Sequence, residues 1–301
     1  MDIINISKKK FNSLTSLELD KEIVNTEALI YNFDYRGQKG IFKNFHRLNG
    51  SLFANKLFTI EMLNHYKELL PKSFVVPEKI ISVNGKMMGC FEKYIEGNNL
   101  LSILNDPKIE LSVKIFFLRQ IGQILEELKY IRMNTDLKDV FINDLHAGNF
   151  IVNDKLELRV IDLDSCKICD NKPFPSKYLL PNKMLQFSNK YKFFDKKEDS
   201  DKEEYEYRRE LGYIVSDENS DLYCYIITIM NFLYKDDVNK LTIDEFYRYL
   251  IYLVSIGIDQ NLINSFERIL LNCENINPVD YLATLTYEQV VKANNKVYKL
   301  V

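Results

Sequence analysis

The chain has 301 residues, a hydrophobic content of 46%, a charged content of 28% and a formal net charge of −3. This composition is typical of a globular protein, and the length suffices for one large domain or for two parts that share a site. A slightly negative net charge argues against a general nucleic-acid surface or anionic-membrane surface, so we expect neither as a partner.

The sequence contains no apolar stretch of the roughly 18 to 20 residues that a membrane-spanning helix requires. The N-terminal stretch MDIINISKKKFNSL lacks an apolar segment followed by small residues, so we expect no signal peptide. Five cysteines without dense spacing are typical of reduced thiols. Cys166 and Cys169 form a CxxC, but without a second such pair we interpret them as ordinary thiols. These features predict a cytoplasmic protein.

The N-terminal part predicts a small sheet interrupted by one helix. EALIYNF and KGIFKNF flank the polar turn DYRG, as in a hairpin. SLFANKLFTIEMLNHYKELL (51–70) carries apolar residues at helical spacing. FVVPEKIISV and KMMGCFEKYI then predict a second hairpin around the turn NGK.

The remainder predicts mainly helices. Residues 111–133 form a long amphipathic pattern with one apolar stripe: Leu118, Ile121, Leu125, Leu128 and Ile131. Further helices are predicted at 219–234, 242–256 and 259–273. A run of charged residues at 195–210 predicts a solvated insertion that extends over about 186–216. The expected fold class is therefore α+β, with a mostly β domain at 1–92 and a mostly helical domain at 93–301.

The short hairpin at 142–164, INDLHAGNFIVNDKLELRVIDLD, carries polar residues at both ends. Asp144 and Asn149 precede its first strand, and Asp162 and Asp164 follow its second. Since the second strand returns beside the first, we expect these side chains at one edge. Asp and Asn also favour turns, but the joint spacing favours a site for a metal and a phosphate over turn chemistry alone.

The hairpin resembles the catalytic loop and metal-binding segment of the protein-kinase-like superfamily, H-R-D-x-x-x-x-N followed by D-F-G, here INDLHAGN and DLD. The form DLHxGN with IDxD is similar to aminoglycoside-phosphotransferase-like kinases. FEKYIEGNNL resembles the hinge, PSKYLLPN (175–182) the end of the activation loop, and NSDLYCYIITIMNFLY the buried central helix. In that helix Asp221 would hold the catalytic-loop backbone. The resemblance covers residues 16–256 and implies a bilobal fold with ATP and Mg²⁺ as cofactors.

The resemblance also implies how the N-terminal part binds ATP. Lys43 would contact the α- and β-phosphates and pair with Glu61 on the following helix. Lys56 on that helix is an alternative partner for Glu61. Backbone groups near Lys93 and Ile95 would contact adenine.

The remaining implied roles concern phosphoryl transfer. Asp144 would accept the proton of a hydroxyl acceptor. Asp162, Asn149 and also Asp164 would bind the metal. For His146 two interpretations stay open, a contact with phosphate or substrate and a structural hydrogen bond.

Three features depart from the family pattern. No G-x-G-x-x-G precedes Lys43, and the candidate loop LELDKEIVNTEAL has no glycine. Ile142 and Asn143 replace the histidine and arginine before Asp144. About forty residues separate Pro181 from Asp221, so the acceptor side is expected to be remodelled.

Two functions follow as hypotheses. The first is an ATP-dependent phosphotransferase, acting on a protein Ser/Thr hydroxyl or a small-molecule hydroxyl. SKYLLPN and Asp221 favour the protein acceptor slightly, whereas DLHAGN favours the small molecule. The second is a pseudokinase that serves as a nucleotide-binding or scaffolding module, motivated by the glycine-free first loop. Retention of all three polar loop residues favours the first hypothesis. The sequence leaves the oligomeric state open.

Overall fold

A computed structural model describes residues 2–17, 28–46, 48, 50–172, 178, 194–195, 213–214, 218–272, 274 and 276–295. Three predicted segments lie wholly or mostly outside the described residues: the charged run 195–210, PSKYLLPN, and the glycine-free loop before the first predicted hairpin. Their interpretations stay predictions.

The N-terminal sheet has five strands in the described part of the chain. Their spatial order is β1 (Ile3–Ile6), β4 (Lys79–Val83), β5 (Lys86–Lys93), β3 (Gly40–Asn44) and β2 (Leu29–Asn32). Both predicted hairpins are confirmed, because β2 pairs antiparallel with β3 and β4 pairs antiparallel with β5. β1 was not predicted; it pairs in parallel with β4, far away in sequence.

Each face of this sheet is covered. Helix α1 (Lys8–Asn12) lies on one side, where Phe11 packs against a cluster of Ile4, Ile6, Phe33, Phe42, Ile81 and Phe91. Helix α2 (Gly50–His65) lies on the other side and contributes to a cluster of Ala28, Phe45, Leu48, Leu52, Ile60 and Cys90. Side chains alternate along a strand, so Lys43 lies on the same face as Phe45, toward α2.

The C-terminal part is mainly helical. Its helices are α3 (Leu100–Asn105), α4 (Leu111–Asn134), α5 (Glu218–Tyr234), α6 (Ile243–Ser255), α7 (Gln260–Asn272) and α8 (Tyr287–Asn294). The predicted apolar stripe of α4 is buried. Helix α5 runs through the core, because seven consecutive residues from Leu222 to Thr228 are at most 2% exposed. A helix that is buried on every side is expected to carry apolar residues on every side, and the sequence of α5 has this character.

Short strands position the predicted hairpin. β8 (Phe150–Val152) pairs antiparallel with β9 (Leu158–Val160), and β6 (Asn98–Asn99) joins β8 on its other edge. β7 (Val140–Phe141) pairs antiparallel with β10 (Lys167–Ile168). The chain before the hairpin is thus hydrogen-bonded to the chain after it. Two further short strands, β11 (Phe194–Asp195) and β12 (Tyr213–Ile214), pair with each other.

The fold class is α+β, with a mostly strand N-terminal sheet and a helical C-terminal part, as the sequence predicted at this level. Among the helices that the structure describes, none is long and apolar enough to cross a membrane.

Candidate functional site

The start of the predicted catalytic loop is held by a carboxylate from α5. Asp221 Oδ2 accepts a hydrogen bond from the backbone N–H of Ile142 at 2.8 Å, and Oδ1 accepts one from Asn143 at 2.8 Å. Asp221 is 2% exposed. Hydrogen bonds to a charged acceptor are stronger than neutral ones, so these two contacts fix the loop. The predicted role of Asp221 is confirmed.

Asn143 links the loop to the segment after the hairpin. Its Nδ2 donates to the carbonyl of Ser165 at 3.0 Å, and its side chain is fully buried. Its backbone is left-handed, with φ of 61°, a conformation that Asn tolerates better than most residues. The Asn that replaces an arginine in the family pattern therefore has a structural contact of its own.

Asp144 and Asn149 lie side by side, as predicted. Asn149 Nδ2 donates to the carbonyl of Asp144 at 2.9 Å and to its Oδ2 at 3.3 Å. The carbonyl of Asn149 accepts from the N–H of Ile161 at 2.9 Å, which places Asn149 next to the residue before Asp162. The two ends of the hairpin therefore meet at one edge.

One carboxylate oxygen of Asp144 stands out. Its Oδ1 is buried and accepts no hydrogen bond from any residue that the structure describes. A buried acceptor without a donor is unfavourable unless a ligand or water supplies one. This oxygen can accept a hydrogen bond from a group outside the described residues.

Lys43 reaches the other end of the hairpin from strand β3. Its Nζ forms ion pairs with Asp162 Oδ1 and Asp164 Oδ2, residues more than a hundred positions later. Gly89 lies on the neighbouring strand, where a Cβ would be 1.8 Å from the Lys43 carbonyl oxygen, so only glycine permits this close approach. Burial lowers the pKa of Lys43, but the charges of Asp162 and Asp164 outweigh this effect and hold it well above its usual range.

Lys56 joins Lys43, Asp162 and Asp164 in a cluster of charged side chains, called the charge cluster below. It lies on α2 with 1% of its side chain exposed, and its Nζ donates to Asp164 Oδ1 at 2.6 Å and to Ser165 Oγ at 2.8 Å. Burial raises the pKa of Asp164, yet Lys43 and Lys56 together hold it well below its usual range. Sequence reasoning considered Lys56 only as a partner for Glu61 and missed this role.

The predicted pair between Lys43 and Glu61 is not formed in this structure. Glu61 is exposed, whereas Lys43 is bound to Asp162 and Asp164. The reason is the helical phase of α2. Its buried residues are Leu52, Lys56, Thr59, Ile60 and Leu63, and position 61 lies off that stripe.

The predicted metal ligands fall into two groups. Asp162 is 39% exposed at its side chain, and only its Oδ1 is bonded to Lys43. The Oδ1 atom of Asn149 accepts no hydrogen bond from the described residues. These hard oxygen donors suit Mg²⁺. Asp164 differs, because both of its oxygens accept from lysines and its side chain is 1% exposed; its contact with a metal stays a prediction.

The structure contains no cluster of three or more His, Cys, Asp or Glu side chains that would hold a metal ion, within the residues that it describes.

His146 has a structural contact. Its Nδ1 accepts from the N–H of Gly148 at 3.1 Å and so caps the short turn Ala147–Asn149. In the neutral ring the proton is then on Nε2, which lies 3.8 Å from Asp144 Oδ2. Of the two interpretations, the structural hydrogen bond is confirmed, and a contact with substrate stays a prediction.

Strand β5 ends at the predicted adenine-binding residues. Lys93 is exposed and lies opposite Gly40 in the sheet, whereas Ile95 is half-buried beyond the end of the strand. Contacts of either residue with adenine stay a prediction.

Glu92, which the sequence did not single out, lies beside Lys43 with 3% exposed. Burial raises the pKa of Glu92 to about 7, and the charge of Lys43 opposes this rise. The Cys90 thiol donates to Glu92 Oε1 at 3.6 Å. A third carboxyl group, in addition to Asp162 and Asp164, thus lies on the sheet side of the charge cluster.

The two cysteines of the CxxC are free thiols. Burial raises the pKa of both Cys166 and Cys169, and a thiol with a raised pKa is a poor nucleophile and a poor metal ligand.

The sequence matches no known protein-family model, and it matches no curated protein.

Proposed function

We propose that this protein is an ATP-dependent phosphotransferase of the protein-kinase-like type, which transfers the γ-phosphate of ATP to a hydroxyl group. The observation that carries the proposal is the ion pair between Lys43 and Asp162. It joins an ammonium group on the N-terminal sheet to the carboxylate at the end of the hairpin that holds Asp144 and Asn149. Phosphoryl transfer requires these groups together: a cation for the phosphates, metal ligands, and a base.

In the proposed reaction Asp144 accepts the proton of the acceptor hydroxyl through its free Oδ1. The hydroxyl oxygen then attacks the γ-phosphorus, and the bond from that phosphorus to the oxygen of ADP breaks. Lys43 binds the other phosphates, and Asp221 keeps Asp144 in place by fixing the two preceding N–H groups. Mg²⁺, held by Asp162 and Asn149, would neutralise the charge that develops on the phosphates.

The proposed architecture is correspondingly bilobal, with residues 1–92 as the smaller domain and 93–301 as the larger. The pairing of β7 with β10 supports a catalytic arrangement, because it brings the segment after Asp164 beside the start of the loop. The acceptor is a hydroxyl of a protein or of a small molecule.

Nucleotide binding is the first step to test. Calorimetric titration of the wild type with ATP and Mg²⁺ is expected to give saturable binding, which Lys43→Met weakens by about tenfold or more, since charge-assisted contacts to phosphate contribute about 1.5–3 kcal/mol. Lys79→Met is the matched control, because Lys79 forms an exposed pair with Asp2 on the same sheet. Equal affinity of all three proteins would contradict the assigned phosphate anchor.

A further inference from the structure

We propose that Lys56 keeps Asp164 out of the metal coordination sphere, so that the protein binds a single divalent ion with its nucleotide. Asp162 and Asn149 are then the protein ligands of that ion. This inference rests on the proposed nucleotide site and specifies its metal content.

Each oxygen of Asp164 accepts from a lysine. Its Oδ2 is bonded to Lys43, and its Oδ1 accepts from Lys56 at 2.6 Å, with Ser165 Oγ also at 3.4 Å. Both Asp164 and Lys56 are 1% exposed at their side chains. A metal would have to displace an ammonium group from a buried carboxylate.

Lys56 is also held in place by the packing of α2. Thr59 Oγ1 accepts from Asn171 Nδ2 at 2.7 Å, one turn along the helix. Asn55 exchanges two hydrogen bonds with the backbone of Lys172, at 2.6 and 2.9 Å. These contacts fix α2 against the segment that carries Asp164. The backbone of Lys56 is therefore fixed close to Asp164.

The charges of the cluster point in the same direction. Lys43 and Lys56 balance the charges of Asp162 and Asp164, the carboxylates to which they are bonded. Moving Asp164 to a metal would break the buried ion pair with Lys56 and bring that ammonium group beside a divalent cation. Breaking a buried ion pair is strongly unfavourable. Asp162 has no such restriction, since it is 39% exposed and has one oxygen free of lysine.

Lys56 is accordingly a positioning residue. Through Asp164 it also orients Lys43, because the two ammonium groups share that carboxylate. The role that the family pattern gives to a helix glutamate is here divided between a helix lysine and Asp164.

Counting bound Mn²⁺ tests the proposal. The wild type is saturated with a non-hydrolysable ATP analogue, and bound Mn²⁺ is measured by electron paramagnetic resonance. We expect one Mn²⁺ per bound nucleotide. Asp162→Asn, which removes the charge of a proposed metal ligand, is expected to weaken Mn²⁺ binding by about tenfold or more.

Lys56→Met removes the lysine bonded to one oxygen of Asp164, and we expect this variant to bind a second Mn²⁺ with lower affinity. Lys56→Arg keeps a cation at this position, and we expect it to bind one Mn²⁺. Lys114→Met is the control, because Lys114 is a buried lysine of α4 that donates to the carbonyl of Asp106, away from the cluster. Two Mn²⁺ per bound nucleotide in the wild type, or an unchanged single Mn²⁺ in Lys56→Met, would overturn the inference. Failure of the analogue to bind the wild type would instead overturn the proposed function.

Discussion

Lys56 and Asp164 form a buried ion pair, with 2.6 Å between Nζ and Oδ1 and with 1% of each side chain exposed. The pair joins a helix packed on the N-terminal sheet to the end of the hairpin at 142–164. Because Asp164 also binds Lys43, it connects the two lysines. This connection holds Lys43 in place without a contact with Glu61.

Replacing Lys56 is expected to destabilise the protein. Lys56→Met leaves Asp164 with one ammonium partner and Ser165 Oγ without its donor, and we expect the free energy of unfolding to fall by about 3 kcal/mol. Urea denaturation measures this change. Lys114→Met removes a single bond to a carbonyl and should lower it by only about 1 kcal/mol. Equal effects of the two substitutions would argue against a special role for the pair.

Glu61 is expected to be dispensable. It is exposed and off the buried stripe of α2, so Glu61→Gln should change the free energy of unfolding by no more than about 0.5 kcal/mol. It should also leave the affinity for ATP unchanged. A clear loss of ATP affinity in this variant, measured by calorimetry, would indicate that Glu61 moves to Lys43 when nucleotide binds.

Asp221 is expected to support both stability and catalysis. Asp221→Ala leaves the N–H groups of Ile142 and Asn143 buried without an acceptor, which should lower the free energy of unfolding by about 3 kcal/mol or more. Activity should fall as well, since Asp144 follows directly. Thr228→Val on the same helix removes a hydroxyl that donates to the Cys224 carbonyl at 2.9 Å and also contacts the Tyr178 hydroxyl. It is the control, with an expected loss of about 1 kcal/mol, because it leaves no charged group without a partner. Similar denaturation midpoints for both variants would contradict the assigned role.

Glu92 is expected to make stability depend on pH. Its pKa in the folded protein is raised to about 7, so the folded state holds a proton that the unfolded state releases near its lower, ordinary pKa. Stability is therefore highest below the unfolded pKa and falls as pH rises toward 7. The raised pKa, from 4.5 to about 7, corresponds to about 3 kcal/mol.

The measurement compares unfolding of wild type and Glu92→Gln at pH 5 and pH 8. The wild type should lose about 3 kcal/mol relative to the variant over this interval. Glu61→Gln serves as the control for an exposed carboxyl. A constant difference between wild type and Glu92→Gln across the interval would show that Glu92 does not titrate there.

The sequence predicted the parts of the fold that depend on local pattern. Both N-terminal hairpins, helices α2 and α4 and the hairpin with Asp144 and Asn149 follow from periodicity and turn residues. Strand β1 could not be predicted in this way. Its partner β4 is over seventy residues away, and four residues are too few to show a clear alternation of apolar and polar side chains.

The charge cluster was harder to predict. The apolar residues of α2 that the sequence offers include Phe53 and Leu57, but the structure buries Lys56 and Thr59 more deeply. A search for apolar periodicity counts every lysine as polar. The burial of Lys56 can therefore be predicted only once its ion-pair partner Asp164 is known. For Glu92 the available signal was strand alternation, which places it on the same face as Cys90 and Lys43.

Transfer of the terminal phosphate of ATP tests the central claim most directly. Wild type, Asp144→Asn and Asp154→Asn are incubated with γ-labelled ATP, Mg²⁺ and hydroxyl acceptors, and labelled product is counted. Asp154 is the control, because it is an exposed aspartate in the turn of the same hairpin. The account predicts transfer by the wild type and Asp154→Asn, and a rate lower by about 10²- to 10⁴-fold in Asp144→Asn. Equal rates in all three proteins would contradict it.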